Sequence, residues 1–222
     1  MDHPIHEIDW RAGRVPVSRR FDDPFFSLED GLAETRHVFL SGNDLPARFG
    51  PGFHIAELGF GTGLNLVAAA LAWEAEGIDG PLRFTSFEAF PLSGADARAA
   101  LAAFPEAAPL AQAIAAALEG DGRIETDKLL VRIVFGDARD TLPAWEGTAD
   151  AWFLDGFAPA RNPELWEPAL MQAVARHTAP GGTCATYSAA GAVRAALAEA
   201  GFEVTRLPGY GRKRHMVRGR LA

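Results

Sequence analysis

The chain has 222 residues, 48% of them apolar and 23% charged, which is enough for one folded domain with a sizeable core and excludes a disordered or low-complexity chain. A single cysteine, Cys184, excludes an internal disulfide, and no uninterrupted apolar run approaches the length that spans a bilayer. The net charge of −8 argues against a general nucleic-acid binder, but from Val204 onward there are six basic residues and no acid, which leaves −14 on the rest. Such asymmetry suggests a local phosphate-binding surface, although charge alone leaves open a solvated edge strand guarded by cations. The start, Met1 to Glu7, has neither a basic nor an apolar stretch, so no secretory signal is expected and the cytoplasm is the default compartment.

Residues 1–50 read as an extension, with Trp10, the aromatic and turn-rich run Phe21-Asp22-Asp23-Pro24-Phe25-Phe26-Ser27, and a helical stretch around Leu28 to Phe39. From residue 51 to 222, apolar strand-like runs alternate with helical periodicity. Seven strands are expected: Phe53–Leu58, Leu82–Glu88, Leu129–Phe135, Ala149–Leu154, Gly182–Tyr187, Phe202–Leu207 and Lys213–Arg218. Leu64, Val67, Ala68, Leu71 and Ala72 have the spacing of an apolar helix face. The Ala-rich segment Ala95–Leu118 predicts two helices broken near Pro105 or Pro109. Pro163–His177 predicts a further helix with Pro163 in its first turn. Gly181-Gly182 and Gly201 should end helices, and Tyr210-Gly211 should turn the last two strands into a hairpin. Cys184 then falls within a strand as a small buried hydrophobe.

The first strand runs into Glu57-Leu58-Gly59-Phe60-Gly61-Thr62-Gly63 and then a helix, the unit that brings a nucleotide-like ligand against backbone at a sheet's carboxyl edge. A dinucleotide site offers amides and a helix N-terminus to a pyrophosphate, which a carboxylate here would repel. The spacing also departs from G-x-G-x-x-G. S-adenosylmethionine lacks phosphate and carries a sulfonium and an ammonium, both favoured by an acid. Three further acids fall at strand ends: Glu88, Asp137 and Asp155. Glu88 is placed to accept ribose hydroxyls, Asp137 with Ala138 the adenine amino group, and Asp155 to lie beside the transferable methyl. Glu57 supports the loop and the cationic methionine end. Cofactor contacts are thus expected from Glu57, Gly59, Phe60, Gly61, Thr62, Gly63, Asn65, Glu88, Asp137, Ala138 and Asp155. Seven strands with the last antiparallel and a helix after each of the first five is the class I methyltransferase architecture, an α/β Rossmann-like fold with a mostly parallel sheet.

Other chemistries find little support. His3 and His6 have a helical metal spacing, but they sit at a terminus expected to fray, and no Cys/His cluster accompanies them. Ser18, Ser93 and Ser188 lack the G-x-S-x-G context. No metal is expected.

The run Ala56–Asn65, the run Phe87-Glu88-Ala89-Phe90-Pro91-Leu92, and Asp150-Ala151-Trp152-Phe153-Leu154-Asp155-Gly156-Phe157-Ala158-Pro159-Ala160-Arg161-Asn162-Pro163 resemble the tRNA 5-methylaminomethyl-2-thiouridine methyltransferases. So do Phe21–Ser27 and Gly209-Tyr210-Gly211-Arg212-Lys213-Arg214-His215-Met216, so the resemblance runs from about Trp10 to Gly219. It implies methyl transfer to the amine of 5-aminomethyl(-2-thio)uridine at the tRNA wobble position, leaving S-adenosylhomocysteine. Asp155 is the candidate for gripping that amine and accepting its proton. A wobble base must be splayed onto an aromatic face, for which Phe25, Phe26, Phe157 and Tyr187 are candidates. Arg161, Arg212, Lys213 and Arg214 would meet backbone phosphates. In that family the domain is often fused to a flavin-dependent oxidase; nothing here corresponds to a flavin site, and the sequence leaves open a stand-alone enzyme or a piece of a larger protein. Two other readings stay open: a methyl- or aminopropyl-transferase acting on a small amine, and a non-catalytic S-adenosylmethionine-binding module.

Overall fold

The computed structural model of the chain describes residues 5–27 and 30–222; His3, and Leu28 at the start of the expected first helix, lie outside the described residues. Strands β1 (Ile8–Arg11), β2 (Val15–Ser18) and β3 (Asp23–Pro24) pair as a small antiparallel sheet. Asp30 then caps the short helix α1 (Gly31–Thr35), its carboxylate accepting from the Ala33 amide at 2.9 Å. α1 runs on into a π-helical turn, Arg36–Leu40, and a 3-10 turn, Ser41–Asn43. Asn43 is buried and fastens this segment to the larger sheet. Its amide nitrogen donates to the carbonyls of Phe39 and Trp152 at 2.9 and 3.2 Å, and its oxygen accepts from Thr183 at 2.6 Å.

The rest of the chain winds β4 (His54–Leu58), α2 (Leu64–Glu76), β5 (Leu82–Glu88), α3 (Gly94–Leu101), α4 (Ala108–Glu119), β6 (Arg123–Glu125), β7 (Leu129–Phe135), α5 (Ala138–Thr141), β8 (Ala149–Leu154), α6 (Pro168–Arg176), β9 (Thr178–Thr186), α7 (Gly191–Glu199), β10 (Phe202–Pro208) and β11 (His215–Leu221). The sheet order is β10-β11-β9-β8-β4-β5-β7-β6, with β9, β8, β4, β5 and β7 parallel to one another. β11 runs antiparallel between β10 and β9.

The central strands are apolar throughout because both faces are covered. Ile55, Phe84, Ala151 and Phe153 pack with residues of α2, α3 and α4. Ala56, Leu58, Phe87, Trp152 and Leu154 pack with α5, α6 and α7. Phe153 is wholly buried; truncating such a side chain to alanine costs about 3–5 kcal/mol.

Four expectations need correction. The sheet has an eighth strand, β6, antiparallel to β7; only Ile124 of its three residues is buried, too little to register as a period. Gly181-Gly182 does not end a helix: it lies inside β9, next to a register shift against β8 between Ala149 and Ala151. The helix expected over Pro163–His177 is two pieces, a 3-10 turn (Pro163–Trp166) and α6, because Glu167 before Pro168 is held extended at φ −62, ψ 143. The last strand starts at His215, and Lys213 sits in the preceding turn with its amide donating to the Tyr210 carbonyl at 3.0 Å.

Candidate active site

After β4 the chain builds outward through β5 and β7, then returns to lay β8 on the other side of β4. The carboxyl ends of β4 and β8 are therefore the switch point of the sheet, where an open α/β fold leaves a crevice. A cleft of about 1030 Å³ lies there. Leu58 and Leu154 pair in register, and the Asp155 amide donates to the Leu58 carbonyl at 3.0 Å. Gly59 then crosses directly over Asp155 at φ +89; a Cβ on Gly59 would strike the Asp155 carbonyl oxygen. Gly63, also at positive φ, is the N-cap of α2.

Glu57 lies beneath the cleft floor, wholly buried. Its carboxylate accepts from Ser86 Oγ at 2.6 Å and from Asn65 Nδ2 at 2.8 Å. The same Asn65 nitrogen donates to Asp155 at 2.7 Å, and Thr35 Oγ donates to the Asn65 oxygen at 3.0 Å. Asn65 thus holds two acids together, and α1 fixes which way its amide faces. Burial pushes the Glu57 carboxyl up to about 8, against the pull of Ser86 and Asn65, with the charges of Asp155 and Glu88 adding to the rise. Burial likewise pushes Asp155, which faces the cleft, up to about 7, while Asn65 and Lys213 draw it down and Glu34 draws it up. Glu88 is raised by burial too, although its oxygens accept from the amides of Gly61 at 3.0 Å and Phe90 at 2.7 Å. A bound cation would relieve all three.

Because Glu57 and Asp155 bind protons more tightly folded than unfolded, the stability they confer is full below the ordinary carboxylate range and is lost as pH rises through about 7 to 8. Without ligand, the melting temperature should fall between pH 5 and 8.5, and Glu57→Gln should flatten that fall. A thermal-unfolding series in which the variant parallels the parent would remove Glu57 as a cause.

Asp137 lines the cleft and caps α5, accepting from the Arg139 amide at 2.9 Å. The Arg139 guanidinium grips it at 2.7 Å and holds it below the usual carboxylate range. Phe25 and Phe157 meet edge to face at 5.1 Å, and Phe157 stacks on Phe21 at 4.8 Å. His6 completes this wall. It is buried, not frayed, with Nε2 against Ser18 Oγ at 2.6 Å and Nδ1 against the Phe90 carbonyl at 3.1 Å, and burial lowers its proton affinity. Phe26 also lines the cleft and packs edge to face on Phe104 at 5.1 Å.

Arg161 lines the cleft, but its guanidinium is taken up by the Asp22 carboxylate at 2.6 Å and the Phe21 carbonyl at 3.1 Å. Asp23 in turn accepts from the Ala158 amide at 2.9 Å. Both ties bind the N-terminal segment to the loop after β8. Tyr187 donates to the Gly156 carbonyl at 2.6 Å, and Lys213 pairs with Glu34 at 2.8 Å. Arg212 lies on the cleft wall, whereas Arg214 is exposed outside it. Glu34, Thr35 and Ser86 went unread in the sequence, and His6 was weighed there only as half of a metal pair, since tertiary packing alone brings them here. Among the described residues no three His, Cys, Asp or Glu side chains converge as metal ligands, and no helix is long and apolar enough to cross a membrane.

Residues 102–222 match a family model, that of the S-adenosyl-L-methionine-dependent methyltransferases. The chain belongs to this family. A methyltransferase needs a site for a donor that carries a sulfonium and an ammonium, and these residues fit one. The glycine loop leaves open backbone, the acids Glu57, Glu88 and Asp155 converge, and each is raised in proton affinity in a way that a cation would reverse. S-adenosylmethionine is therefore the methyltransferase's cofactor, and the doubly wound, mostly parallel sheet is the class I fold.

Among relatives, the chain is 43% identical to the tRNA 5-methylaminomethyl-2-thiouridine biosynthesis bifunctional protein MnmC of Stutzerimonas stutzeri, over 99% of this chain and 36% of that protein. It is 45% identical to the protein of that name from Pseudomonas aeruginosa PAO1, over 96% of this chain and 34% of the other. The chain thus spans about a third of the length of the curated relatives it matches. The crystal structure of MnmC2 from Aquifex aeolicus superposes with a TM-score of 0.75 at 27% identity, covering 98% of this chain and 71% of that one.

Proposed function

We propose that the chain methylates the primary amine of 5-aminomethyl(-2-thio)uridine at the tRNA wobble position, giving the 5-methylaminomethyl product in the cytoplasm. The observation that carries this reading is Asp155, a raised carboxyl at the cleft end of β8, held by Asn65 over the glycine loop. The names of the relatives supply the acceptor. Residues 51–222 would be the catalytic domain and 1–50 an extension packed on it. The bifunctional relatives support a flavin-dependent oxidase as a fused or separate partner.

S-adenosylmethionine, when bound, supplies an electrophilic methyl group, its carbon–sulfur bond breaking as the carbon–nitrogen bond forms. Glu88 would hold the ribose, Asp137 and Ala138 the adenine, and Asn65 and the loop from Gly59 to Gly63 the cationic end, with Glu57 supporting Asn65 from beneath. Phe25, Phe157 and Tyr187 would face the extruded base. The amine must first lose a proton, because an alkylammonium titrates near a lysine, at about 10. Passing that proton to an ordinary aspartate spans roughly six pH units, about 8 kcal/mol. To Asp155, raised to about 7 in the ligand-free site, the gap is roughly three units, about 4 kcal/mol, and the bound donor's cationic groups give back part of that gain. Asp155 orients the nitrogen, takes the proton and releases it to water.

Arg212, Lys213 and Arg214 at the β10–β11 turn would meet phosphates, with Arg161 left to brace the Asp22 loop. Three such contacts predict that tRNA affinity drops roughly 20- to 40-fold between 50 and 200 mM salt; an affinity indifferent to salt would remove this surface. The deciding experiment is mass spectrometry of tRNA lacking only this methyl group, after incubation with the chain and S-adenosylmethionine. A methyl gain on the wobble uridine is expected, and free amines should be poor acceptors. An unchanged nucleoside would overturn the reading.

A further inference from the structure

Lys213 does not reach outward from its turn. Its ammonium stands 2.8 Å from Glu34 Oε1 and 3.9 Å from the centroid of the Tyr187 ring, on the wall of the cleft. A carboxylate and an aromatic face around one ammonium make a complete recognition set for a primary alkylammonium. Three ties set this place beside the reacting end of the cleft. Tyr187 donates to Gly156, the residue after Asp155. Glu34 precedes Thr35, which orients Asn65 against Asp155. The Lys213 charge also lowers the proton affinity of Asp155, as a nearby cation must.

The end of a lysine side chain is a methylene bearing an ammonium, the same group as the arm of a 5-aminomethyluridine. We propose that Glu34 and the face of Tyr187 form the subsite that receives the substrate's aminomethyl ammonium beside Asp155, with Lys213 its placeholder until substrate displaces it. The inference rests on the proposed acceptor and adds Glu34, which no strand-end motif contains.

Exposure makes the exchange feasible. The Glu34 side chain is 13% exposed and the Lys213 side chain 45%. The carboxylate is thus a built part of the wall, whereas the lysine, on a solvent-facing turn, is held weakly and is easily given up. Once displaced, Lys213 is free to join the phosphate contacts of the same turn, so substrate entry and backbone docking would reinforce each other. A neutral 5-substituent could not compete for the place, which would make the subsite a filter for the amine.

The test is calorimetry with S-adenosylhomocysteine present, which prevents turnover, using 5-aminomethyluridine and its neutral counterpart 5-hydroxymethyluridine as probes. Lys213→Met should bind the aminomethyl nucleoside severalfold more tightly than the parent does, with the hydroxymethyl affinity unmoved. Glu34→Gln should weaken aminomethyl binding about tenfold and spare the hydroxymethyl probe. Tyr187→Phe should keep most of the preference and Tyr187→Leu lose it. Unchanged S-adenosylhomocysteine affinity reports that each variant is folded. Equal or weaker aminomethyl binding in Lys213→Met, or parental binding in Glu34→Gln, overturns the subsite. If the parent fails to methylate the tRNA, the functional reading falls and takes the subsite with it; if the parent methylates and Glu34→Gln binds as the parent does, the subsite alone falls.

Discussion

Asp155→Ala should lose roughly 10²- to 10⁴-fold in kcat, the range spanned by a positioned proton acceptor, while its affinity for S-adenosylmethionine stays within a few fold of the parent. The two effects separate because of how the site is wired. Removing the Asp155 carboxylate takes one acceptor from Asn65 Nδ2, but Glu57 still accepts from the same nitrogen at 2.8 Å and Thr35 still holds the amide oxygen. The glycine loop and Glu88, the proposed ribose acid, are anchored independently, through the Gly61 and Phe90 amides. The nitrogen of the acceptor, by contrast, loses its proton sink and its orienting partner together. In the parent, kcat/KM should rise with pH as Asp155 ionises, at a pH below the value of about 7 in the ligand-free site because the donor's cationic groups draw it down, and the variant should lose that step. Single-turnover kinetics across pH 5 to 9 would measure both. A variant within tenfold of the parent, or one that keeps that step, would take Asp155 out of the mechanism.

Much of this arrangement was legible because the central strands are buried on both faces. β5, β7 and β8 have the bounds expected from their apolar runs, and the loop after β4 carries chemistry that few other structures need. What the chain hides follows two patterns. Short strands carry too few residues to show a period: β6 buries one residue of three, and β2, four residues buried throughout, contains Pro16, which lowers strand propensity although it sits comfortably in a small sheet. Residues placed by tertiary packing carry no motif. Glu34 and Thr35 look like ordinary helix surface until Thr35 is found on Asn65 and Glu34 on Lys213. His6 looks like a terminal residue until it is found inside the phenylalanine wall. Arg161 lies within a recognisable motif, yet its charge answers Asp22 of the N-terminal segment. Motif membership predicted its place at the cleft and gave no sign of that partner.

Gly59→Ala should abolish cofactor binding and destabilise the fold by roughly 2–5 kcal/mol. Two costs combine. Gly59 holds φ +89, a conformation that side-chain-bearing residues rarely adopt, and its Cβ would run into the Asp155 carbonyl oxygen. Neither partner can step aside. The Gly59 amide donates to Phe87 at 2.9 Å and the Asp155 amide to Leu58 at 3.0 Å, so moving either one breaks the ladder at the carboxyl end of the sheet. Any accommodation must therefore displace Asp155 itself, so the damage reaches the cofactor and the proton acceptor at once. Gly77 is the control, at φ +63 with nothing within 4 Å of the place an added methyl would take. Gly77→Ala should lose about 1–2 kcal/mol from the left-handed backbone alone and bind S-adenosylmethionine as the parent does. Thermal unfolding and calorimetry on the pair distinguish the contributions. If Gly59→Ala matched Gly77→Ala in both, the close crossing of β4's loop over β8 could not be what shapes the cofactor cleft.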